Sequence, residues 1–154
     1  MRVNADAMTL YAVTDRTWVE DTTLMDQVKE ALEGGITFLQ LREKHLSKEE
    51  FIKEAREMKK LAAQYQMKEL SKEYKVPFVI NDNIEVALAV DADGVHIGQD
   101  DMSVEEARKL LGEDKIIGVS AHNVEEAIKA QKGGADYLGV GAVCATSTKK
   151  DANV

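Results

Sequence analysis

Apolar segments of strand length alternate with segments of helical spacing six times along this 154-residue chain. Each apolar segment ends in polar residues, and a helix-like pattern follows all but the last. Neighbouring parallel strands need a long crossover connection, usually a helix, so repeated strand–helix units indicate an α/β fold with a parallel sheet. The strands are predicted at residues 8–13, 36–41, 115–119 and 135–140 and in the apolar runs of 76–83 and 93–101.

A weak internal repeat supports this interpretation. Residues 33–39 and 132–138 both contain a helix end, a double glycine and the start of a strand. Closing a sheet of such units into a barrel takes eight of them, typically over about 250 residues. This chain has six units, and we expect them to form a single domain over residues 1–154.

Two neighbouring strands end abruptly in carboxylate side chains. The apolar runs in residues 76–83 and 93–101 finish at Asp82 and Asp101. The carboxyl ends of parallel strands share one edge of the sheet, where α/β proteins place their sites. We therefore expect Asp82 and Asp101 to face each other and to hold a divalent cation with a phosphate-bearing ligand. The alternative is that Asp82 caps the next helix and Asp101 is a solvated loop residue.

The other predicted strands place further polar groups on the same edge. Arginine and lysine neutralise phosphates, while hydroxyl and amide groups orient a bound ligand. These groups are Gln40, Arg42, Lys44, Asn81, Gln99, Ser120, His122, Thr146, Thr148 and Lys149. The spacing shows no Ser-His-Asp or Cys-His arrangement, glycine-rich phosphate motif or metal-type histidine pair.

The region after the second strand contains a helix start and a duplication. Residues 46–51 have the spacing of a capping box with a hydrophobic staple. Residues 58–66 are followed at once by a similar segment, residues 67–75. Nine residues rotate a helix face by about 180°, so a continuous helix would turn the apolar residues of one copy toward solvent. We predict that the helix breaks before residue 74 or that one copy is displaced outward.

Composition excludes several classes of function. The net charge of −8 argues against nonspecific binding of nucleic acid, which needs a basic surface. No apolar run approaches the roughly 20 residues that span a bilayer, and no signal-peptide pattern opens the chain, so we expect no membrane partner. The single Cys144 leaves no internal disulfide, and we expect a cytoplasmic protein.

Six motifs together resemble the thiamine-phosphate synthase (thiamine-phosphate pyrophosphorylase) family. They follow the family's order and cover nearly the whole chain. They are Leu-Tyr-Ala-Val-Thr-Asp-Arg at 10–16, Gln-Leu-Arg-Glu-Lys at 40–44, Asn-Asp at 81–82, Gly-Val-His-Ile-Gly-Gln-Asp-Asp at 94–101, Gly-Val-Ser-Ala-His at 118–122, and Gly-Val-Gly-Ala-Val at 139–143 with Thr-Ser-Thr-Lys-Lys-Asp at 146–151. The resemblance implies a (β/α)8 TIM-barrel topology, truncated here after the sixth strand.

The resemblance also implies an activity in thiamine biosynthesis. The family joins hydroxymethylpyrimidine diphosphate to a thiazole phosphate and releases pyrophosphate, and is therefore a family of transferases. The implied chemistry is dissociative: the pyrophosphate leaves, the pyrimidine carries the positive charge, and the thiazole nitrogen attacks. Such a reaction needs charge neutralisation more than a general base, which suits the polar edge described above.

Individual residues take their roles from the same resemblance. Asp82 and Asp101 would bind magnesium, and Ser120 and Lys149 would act on the leaving pyrophosphate as the catalytic residues. The residues implied for the pyrimidine diphosphate are Gln40, Arg42, Lys44 and Asn81. Those implied for the thiazole phosphate are Thr146, Ser147 and Thr148.

Three interpretations of function stay open on the sequence. The first is the synthase, which the pair Asp82 and Asp101 favours. The second is a related thiazole tautomerase, which needs no magnesium-bound diphosphate. The third is a catalytically inactive barrel that binds a ligand or a partner, which the absence of strands seven and eight favours. That absence would also leave the first and sixth strands as unpaired edges, so we expect self-association.

Overall fold

The computed structural model describes residues 3–19, 21–68 and 75–144. The six predicted strands form one parallel sheet in sequence order, which confirms the α/β prediction. The strands are β1 (Tyr11–Val13), β2 (Phe38–Leu41), β3 (Phe78–Asn81), β4 (Gly94–Ile97), β5 (Ile116–Ala121) and β6 (Tyr137–Val140). The helices are α1 (Leu24–Glu33), α2 (Lys48–Lys68), α3 (Ile84–Ala89), α4 (Val104–Leu111) and α5 (Val124–Gly133), with short 3-10 helices at Asp6–Met8 and Arg16–Trp18.

The sheet is strongly curled. Tyr11 on the first strand and Tyr137 on the sixth approach each other across its concave face, with their hydroxyl oxygens 2.7 Å apart. The ring of Phe38 packs against both tyrosine rings. A flat six-stranded sheet would hold its edge strands far apart, because adjacent strands lie about 4.8 Å from each other. The strands therefore form a partial barrel with a filled interior.

Side chains alternate between the two faces of this partial barrel. The inner face holds a small apolar cluster in which Phe38, Val79 and Ile116 are buried. The outer face carries residues such as Leu39 and Ile80, which lie in the larger core between the sheet and the helices. The four inner strands, β2 to β5, therefore bury both faces, as parallel strands covered by helices do, while the edge strands β1 and β6 are partly exposed.

One glycine makes room for the inner aromatic packing. A Cβ atom on Gly118 would lie 2.0 Å from the ring of Tyr137, far inside van der Waals contact. The absence of a side chain on β5 thus lets the Tyr137 ring lie across that strand. A larger residue at this position would push Tyr137 away from Tyr11.

The amino ends of the strands are held by a recurring hydrogen-bond arrangement. A polar residue just before each even-numbered strand accepts a hydrogen bond from a backbone N–H of the preceding strand or the residue before it. Its own N–H donates back to the carbonyl of the same residue. The pairs are Thr37 with Leu10, Asp93 with Phe78, and Asp136 with Ile117. We call this end of the partial barrel, marked by Thr37, Asp93 and Asp136, the floor.

The internal repeat of the sequence corresponds to this arrangement. Residues 33–39 and 132–138 contain Thr37 and Asp136, which occupy equivalent positions in the two units. A side-chain acceptor at that position fixes the register of two strands. The repeated segment therefore sets the register of the strands as well as ending a helix.

The first strand differs from its predicted bounds. It was expected from residue 8, but the structure starts it at Tyr11. Met8 instead ends a 3-10 helix and packs against the inner apolar cluster. An apolar residue on a short helix gives the same local signal as one on a strand, so the sequence pattern could not separate them.

The long helix α2 begins as predicted. Ser47 and Glu50 bond to each other's backbone N–H groups, as in a capping box. The helix is continuous through the first copy of the duplication, residues 58–66, and Met58 is buried in the core. Residues 69–74, where most of the second copy lies, are outside the described residues, so the expected break stays a prediction.

None of the helices in the described part of the chain is both long and apolar enough to cross a membrane.

Candidate functional site

The carboxyl ends of the strands meet at the opposite end of the partial barrel from the floor. The inner face there carries polar side chains, all of them buried. They are Gln40, Asn81, His96 and Ser120. We call this end, marked by these four residues and by Asp82 and Asp101, the mouth.

The four buried polar side chains pair with one another. Nε2 of Gln40 donates to Oδ1 of Asn81 at 3.0 Å. Nε2 of His96 lies 3.0 Å from Oγ of Ser120, and Nδ1 of His96 lies 3.0 Å from the hydroxyl of Tyr137. These hydrogen bonds compensate for the desolvation of the buried polar groups and fix their orientation. The mouth thus has a rigid polar lining directly above the apolar interior.

The two predicted carboxylates come together at the mouth. Asp82 follows β3 directly, and Asp101 lies in the loop after β4, where its Oδ2 accepts a hydrogen bond from the Gly98 N–H at 2.6 Å. Burial raises the pKa of the Asp101 carboxyl, the Gly98 bond lowers it, and the adjacent Asp82 carboxyl raises it again. Two acidic groups therefore interact directly here, as predicted from the strand ends.

The alternative interpretation of Asp82 as a helix cap is wrong. Asn83 caps α3, because its Oδ1 accepts a hydrogen bond from the Val86 N–H. Asp82 instead has a positive φ of 60°, a conformation that residues other than glycine rarely adopt. Its N–H donates to the carbonyl of His96 on β4, which fixes the turn. The backbone is held in an unfavourable conformation that turns Asp82 toward Asp101.

Two cations accompany the carboxylates. Nζ of Lys44 lies 2.6 Å from Oδ2 of Asp82, with both side chains partly exposed. Arg42 lies beside Asp15, with 3.6 Å between its Nη1 and Oδ2 of the aspartate. Arg42, Thr14 and Asp15 also line a cavity of about 460 Å³ that extends between β1 and α1. Both predicted phosphate-binding cations thus lie at the mouth.

Ser120 is held on three sides. Besides its contact with His96, its backbone carbonyl accepts a hydrogen bond from Nε2 of Gln99 at 2.6 Å. Its neighbour on β6 is Gly139, where a Cβ would approach the His96 ring to 3.0 Å. The sequence had placed Ser120 and Gln99 at this edge, and the structure brings them together. His122 lies apart from them and bonds to Glu126 on α5.

The predicted residues Thr146, Ser147, Thr148 and Lys149 lie outside the described residues, so their roles stay predictions.

Three residues of this region were not predicted from the sequence. Asp15 contacts Arg42, and the side-chain and backbone groups of Thr17 lower the pKa of Asp15 by hydrogen bonding. Arg16, which is partly exposed, forms an ion pair with the buried Glu43 beside the mouth. The available signals were that Asp15 and Arg16 end the 10–16 motif and that Glu43 lies between two residues expected at the site.

The oxygen donors at the mouth suit a magnesium ion that also contacts a ligand. Across residues 3–19, 21–68 and 75–144, no group of three or more His, Cys, Asp or Glu residues could hold a metal. Mg²⁺ is commonly bound by one or two carboxylates, with waters and substrate phosphates completing its shell. Asp82 and Asp101 fit that pattern, because they are two adjacent acidic groups with one counter-charge, Lys44.

Comparison with known proteins identifies the family. The model of the thiamine monophosphate synthase family matches residues 10–154. The thiamine-phosphate synthase of Clostridium acetobutylicum is 52% identical over 143 residues, which cover 93% of this chain and 64% of the relative. The chain belongs to the thiamine monophosphate synthase family. The resemblance first noted in the sequence is therefore confirmed.

Other members of the thiamine monophosphate synthase family agree. The thiamine-phosphate synthase of Clostridium novyi is 50% identical over 92% of this chain. The solved structure of thiamine phosphate pyrophosphorylase from Pyrococcus furiosus superposes with a TM-score of 0.78 at 38% identity, over 92% of this chain and 64% of that one. The likeness supports the interpretation as part of a TIM-like fold, and the chain spans just under two thirds of the length of these relatives.

Proposed function

We propose that this chain carries thiamine-phosphate synthase activity, joining hydroxymethylpyrimidine diphosphate to a thiazole phosphate with release of pyrophosphate. The observation that carries the proposal is the convergence of Asp82, Asp101 and Lys44 at the mouth. Two carboxylates beside a cation suit a diphosphate bridged by a hard divalent cation. The family match over residues 10–154 supports the same chemistry.

Magnesium is the proposed cofactor, with Asp82 and Asp101 as its protein ligands. When bound, the ion would neutralise charge on the diphosphate and on the leaving pyrophosphate. Lys44 contacts Asp82 in the structure, and its ammonium group is close enough to move to a phosphate oxygen when a ligand arrives.

The other residues of the mouth bind and orient the substrates in this proposal. Arg42 and Lys44 hold the phosphates, and the Gln40–Asn81 pair orients the pyrimidine diphosphate. Ser120 contacts the leaving pyrophosphate from a fixed position on β5. In the same proposal, Lys149 also contacts the pyrophosphate, and Thr146, Ser147 and Thr148 hold the thiazole phosphate.

The chemical step follows from this set of charges. Departure of the pyrophosphate leaves positive charge on the electron-rich pyrimidine, which the thiazole nitrogen then attacks. The mouth provides cations for the departing group and buried, paired amides and hydroxyls that need no reorganisation during the reaction. Such preorganised charge stabilisation is often the largest contribution to catalysis, and no general base is required.

Pyrophosphate release tests the activity. The chain is mixed with both substrates and Mg²⁺, and release is compared between the unsubstituted chain, Asp82→Asn and Asp91→Asn. Asp91 is a matched control, because it also has a positive φ but pairs with Lys59 and Lys115, away from the mouth. Asparagine tolerates a positive φ, so both variants keep their backbone.

We expect Asp82→Asn to lower release by roughly a hundredfold, as for loss of a group that stabilises transition-state charge, and Asp91→Asn to leave it unchanged. Release that survives Asp82→Asn would exclude the metal role of Asp82. No release from the unsubstituted chain would exclude the synthase. Binding of Mg²⁺ and pyrophosphate without turnover would then favour the non-catalytic alternative, and turnover of a thiazole without a diphosphate would favour the tautomerase.

We also propose that the chain self-associates through its edge strands. Within the described residues, β1 and β6 each pair on one side only, and Val13 and Val140 near their ends are 49% and 68% exposed. Unpaired strands with exposed apolar residues tend to pair with another chain. Val13→Lys with Val140→Lys should therefore weaken association in analytical ultracentrifugation, whereas Val124→Lys on α5, equally exposed but off the edge, should not. A monomeric unsubstituted chain at every concentration would contradict this proposal.

A further inference from the structure

An ionic cluster lies beside the mouth and takes no part in the proposed chemistry; its Arg16 side chain is 45% exposed, while its carboxyl groups on Glu43 and Glu54 are 3% and 16% exposed. Glu43 lies between Arg42 and Lys44 in the sequence, but its side chain is only 3% exposed, against 45% for Lys44. Successive residues of an extended segment point to opposite sides. The two cations accordingly lie at the mouth, while Glu43 turns away from it.

Arg16 connects Glu43 to helix α2. Its Nε lies 2.8 Å from Oε1 of Glu43, and its Nη2 lies 2.5 Å from Oε1 of Glu54. Arg16 belongs to the 3-10 helix after β1, Glu43 to the loop after β2, and Glu54 to the second turn of α2. The cluster therefore ties together three elements that surround one side of the mouth.

Stability alone does not account for this cluster. Two carboxyl groups share one guanidinium, and the described residues offer no donor to the buried Oε2 of Glu54. Burial raises the pKa of Glu54, Arg16 lowers it, and the nearby Glu43 carboxyl raises it again. Ion pairs contribute little net stability when one partner is exposed, and buried charges carry a desolvation cost, so neither case makes this cluster a strong stabiliser. The geometry that the cluster fixes is therefore the better explanation for its presence.

We propose that Arg16, Glu43 and Glu54 form a positioning clamp that fixes the loop after β2, so that Arg42 and Lys44 present their charges to a diphosphate. The inference rests on the proposed function, because it assigns a role to residues that act through the two phosphate-binding cations. None of the three clamp residues needs to touch the substrate.

The same loop is held from its other side by Thr14. Oγ1 of Thr14 accepts a hydrogen bond from the N–H of Arg42 at 2.9 Å and donates to the carbonyl of Arg42 at 3.3 Å. Thr14 thus fixes the loop at the backbone of Arg42, and the clamp fixes it at the side chain of Glu43. A loop held before the ligand arrives loses less conformational entropy on binding, so its cations bind phosphate more tightly.

The test uses Glu43→Gln in the full chain, which keeps the shape of the side chain and removes its charge. We expect the KM for the diphosphate substrate, and the Kd of inorganic pyrophosphate with Mg²⁺ by calorimetry, to rise about tenfold. The KM for the thiazole phosphate should stay unchanged. Amide hydrogen exchange should accelerate in residues 42–46, because the Arg42 N–H reports directly on the loop.

A matched control is Asp136→Asn at the floor. Asp136 also forms a buried ion pair, with Arg108, but it lies far from the two cations. This variant should lower the thermal midpoint while leaving both KM values and the exchange of residues 42–46 unchanged. A purely structural role for the clamp would make Glu43→Gln behave in the same way, and that result would overturn the proposal.

A second variant covers the case in which Glu43→Gln fails to fold. Glu54→Gln keeps the shape of the side chain, and Glu54 is more exposed than Glu43, so this chain should fold and show a smaller rise in the Kd of pyrophosphate, about threefold. If the unsubstituted chain binds no pyrophosphate, the proposed function fails and hydrogen exchange alone decides the clamp. Unchanged exchange in residues 42–46 of both variants would then exclude it.

Discussion

Two aspartates with positive φ, Asp82 and Asp91, illustrate how the two ends of this partial barrel differ. Asp91, at the floor, follows α3, and its carboxylate is held by Lys59 and Lys115, which lower its pKa. Asp82, at the mouth, lies beside a second acidic group and has Lys44 as its counter-charge. The same unusual backbone conformation supports a satisfied ion pair at one end and a surplus of negative charge at the other.

The difference extends to the rest of each end. At the floor, Asp93 and Asp136 bond to backbone amides and to Lys75 and Arg108, so their charges are used within the fold. At the mouth, the neutral groups are paired but the charged ones face each other and solvent. Residues that stabilise the fold and residues that await a ligand are thus separated along the strand direction, as in other barrels of repeated strand–helix units.

The largest expected effect on stability comes from removing an ion pair at the floor. Asp136→Ala removes the carboxylate partner of Arg108 and the acceptor of the Ile117 N–H, leaving Arg108 only backbone carbonyls, and both side chains of this ion pair are nearly buried. Removing one member of a buried ion pair typically costs about 3–5 kcal/mol, so we expect a loss of that order in the free energy of unfolding in urea. The exposed pair Lys48–Glu85 is the control, and Glu85→Ala should cause no measurable loss.

A smaller loss of stability is expected at alkaline pH from Tyr11 and Tyr137, which lie between the floor and the mouth. Burial raises the pKa of both Tyr11 and Tyr137 above the usual value near 10. The unfolded chain therefore loses these protons first as the pH rises, and stability falls above about pH 10. The loss approaches about 1.4 kcal/mol per pH unit for each tyrosine.

Urea unfolding at several pH values checks this dependence. The double variant with Tyr11→Phe and Tyr137→Phe should lose most of the decline above pH 10, at a cost of about 2 kcal/mol at neutral pH for the missing hydroxyl–hydroxyl bond and the missing contact with Nδ1 of His96. An unchanged alkaline decline in the double variant would show that other groups cause it.

The smallest effect on stability is expected at the mouth itself. Asp82→Gly relieves the positive φ and should raise the free energy of unfolding by up to about 1 kcal/mol, while Mg²⁺-dependent pyrophosphate binding weakens at least about tenfold. Asp91→Gly should relieve the same strain without weakening that binding. If both variants bound pyrophosphate equally well, the proposed separation between the two ends would be wrong.

Much of the fold could be predicted because its signals are local. A helix start such as the one at Ser47 and Glu50 is encoded within a few residues, and the structure forms that capping box. Strand order followed from the alternation of elements, and the meeting of Asp82 with Asp101 followed from strand order alone. These predictions needed only the period of the pattern and the rule that parallel strands share a carboxyl edge.

What could not be predicted depends on distant contacts. Arg16, Glu43 and Glu54 are far apart in sequence, and each alone resembles an ordinary surface charge. The contact between Tyr11 and Tyr137 depends on sheet curvature and on the missing side chain at Gly118, neither of which a single segment reveals. The start of β1 was misjudged for the related reason that Met8 packs inward from a short helix.

The recurring acceptors Thr37, Asp93 and Asp136 have a consequence for how the chain tolerates change. Each of these residues fixes the register of one pair of strands by hydrogen bonds. An insertion in the helix before a strand therefore need not shift that strand. β3 comes directly after the duplicated segment, yet Phe78 still bonds to Asp93 and lies opposite Leu39. The connection between two strands can therefore lengthen by nine residues while the spacing of the ligand-binding groups is inherited unaltered.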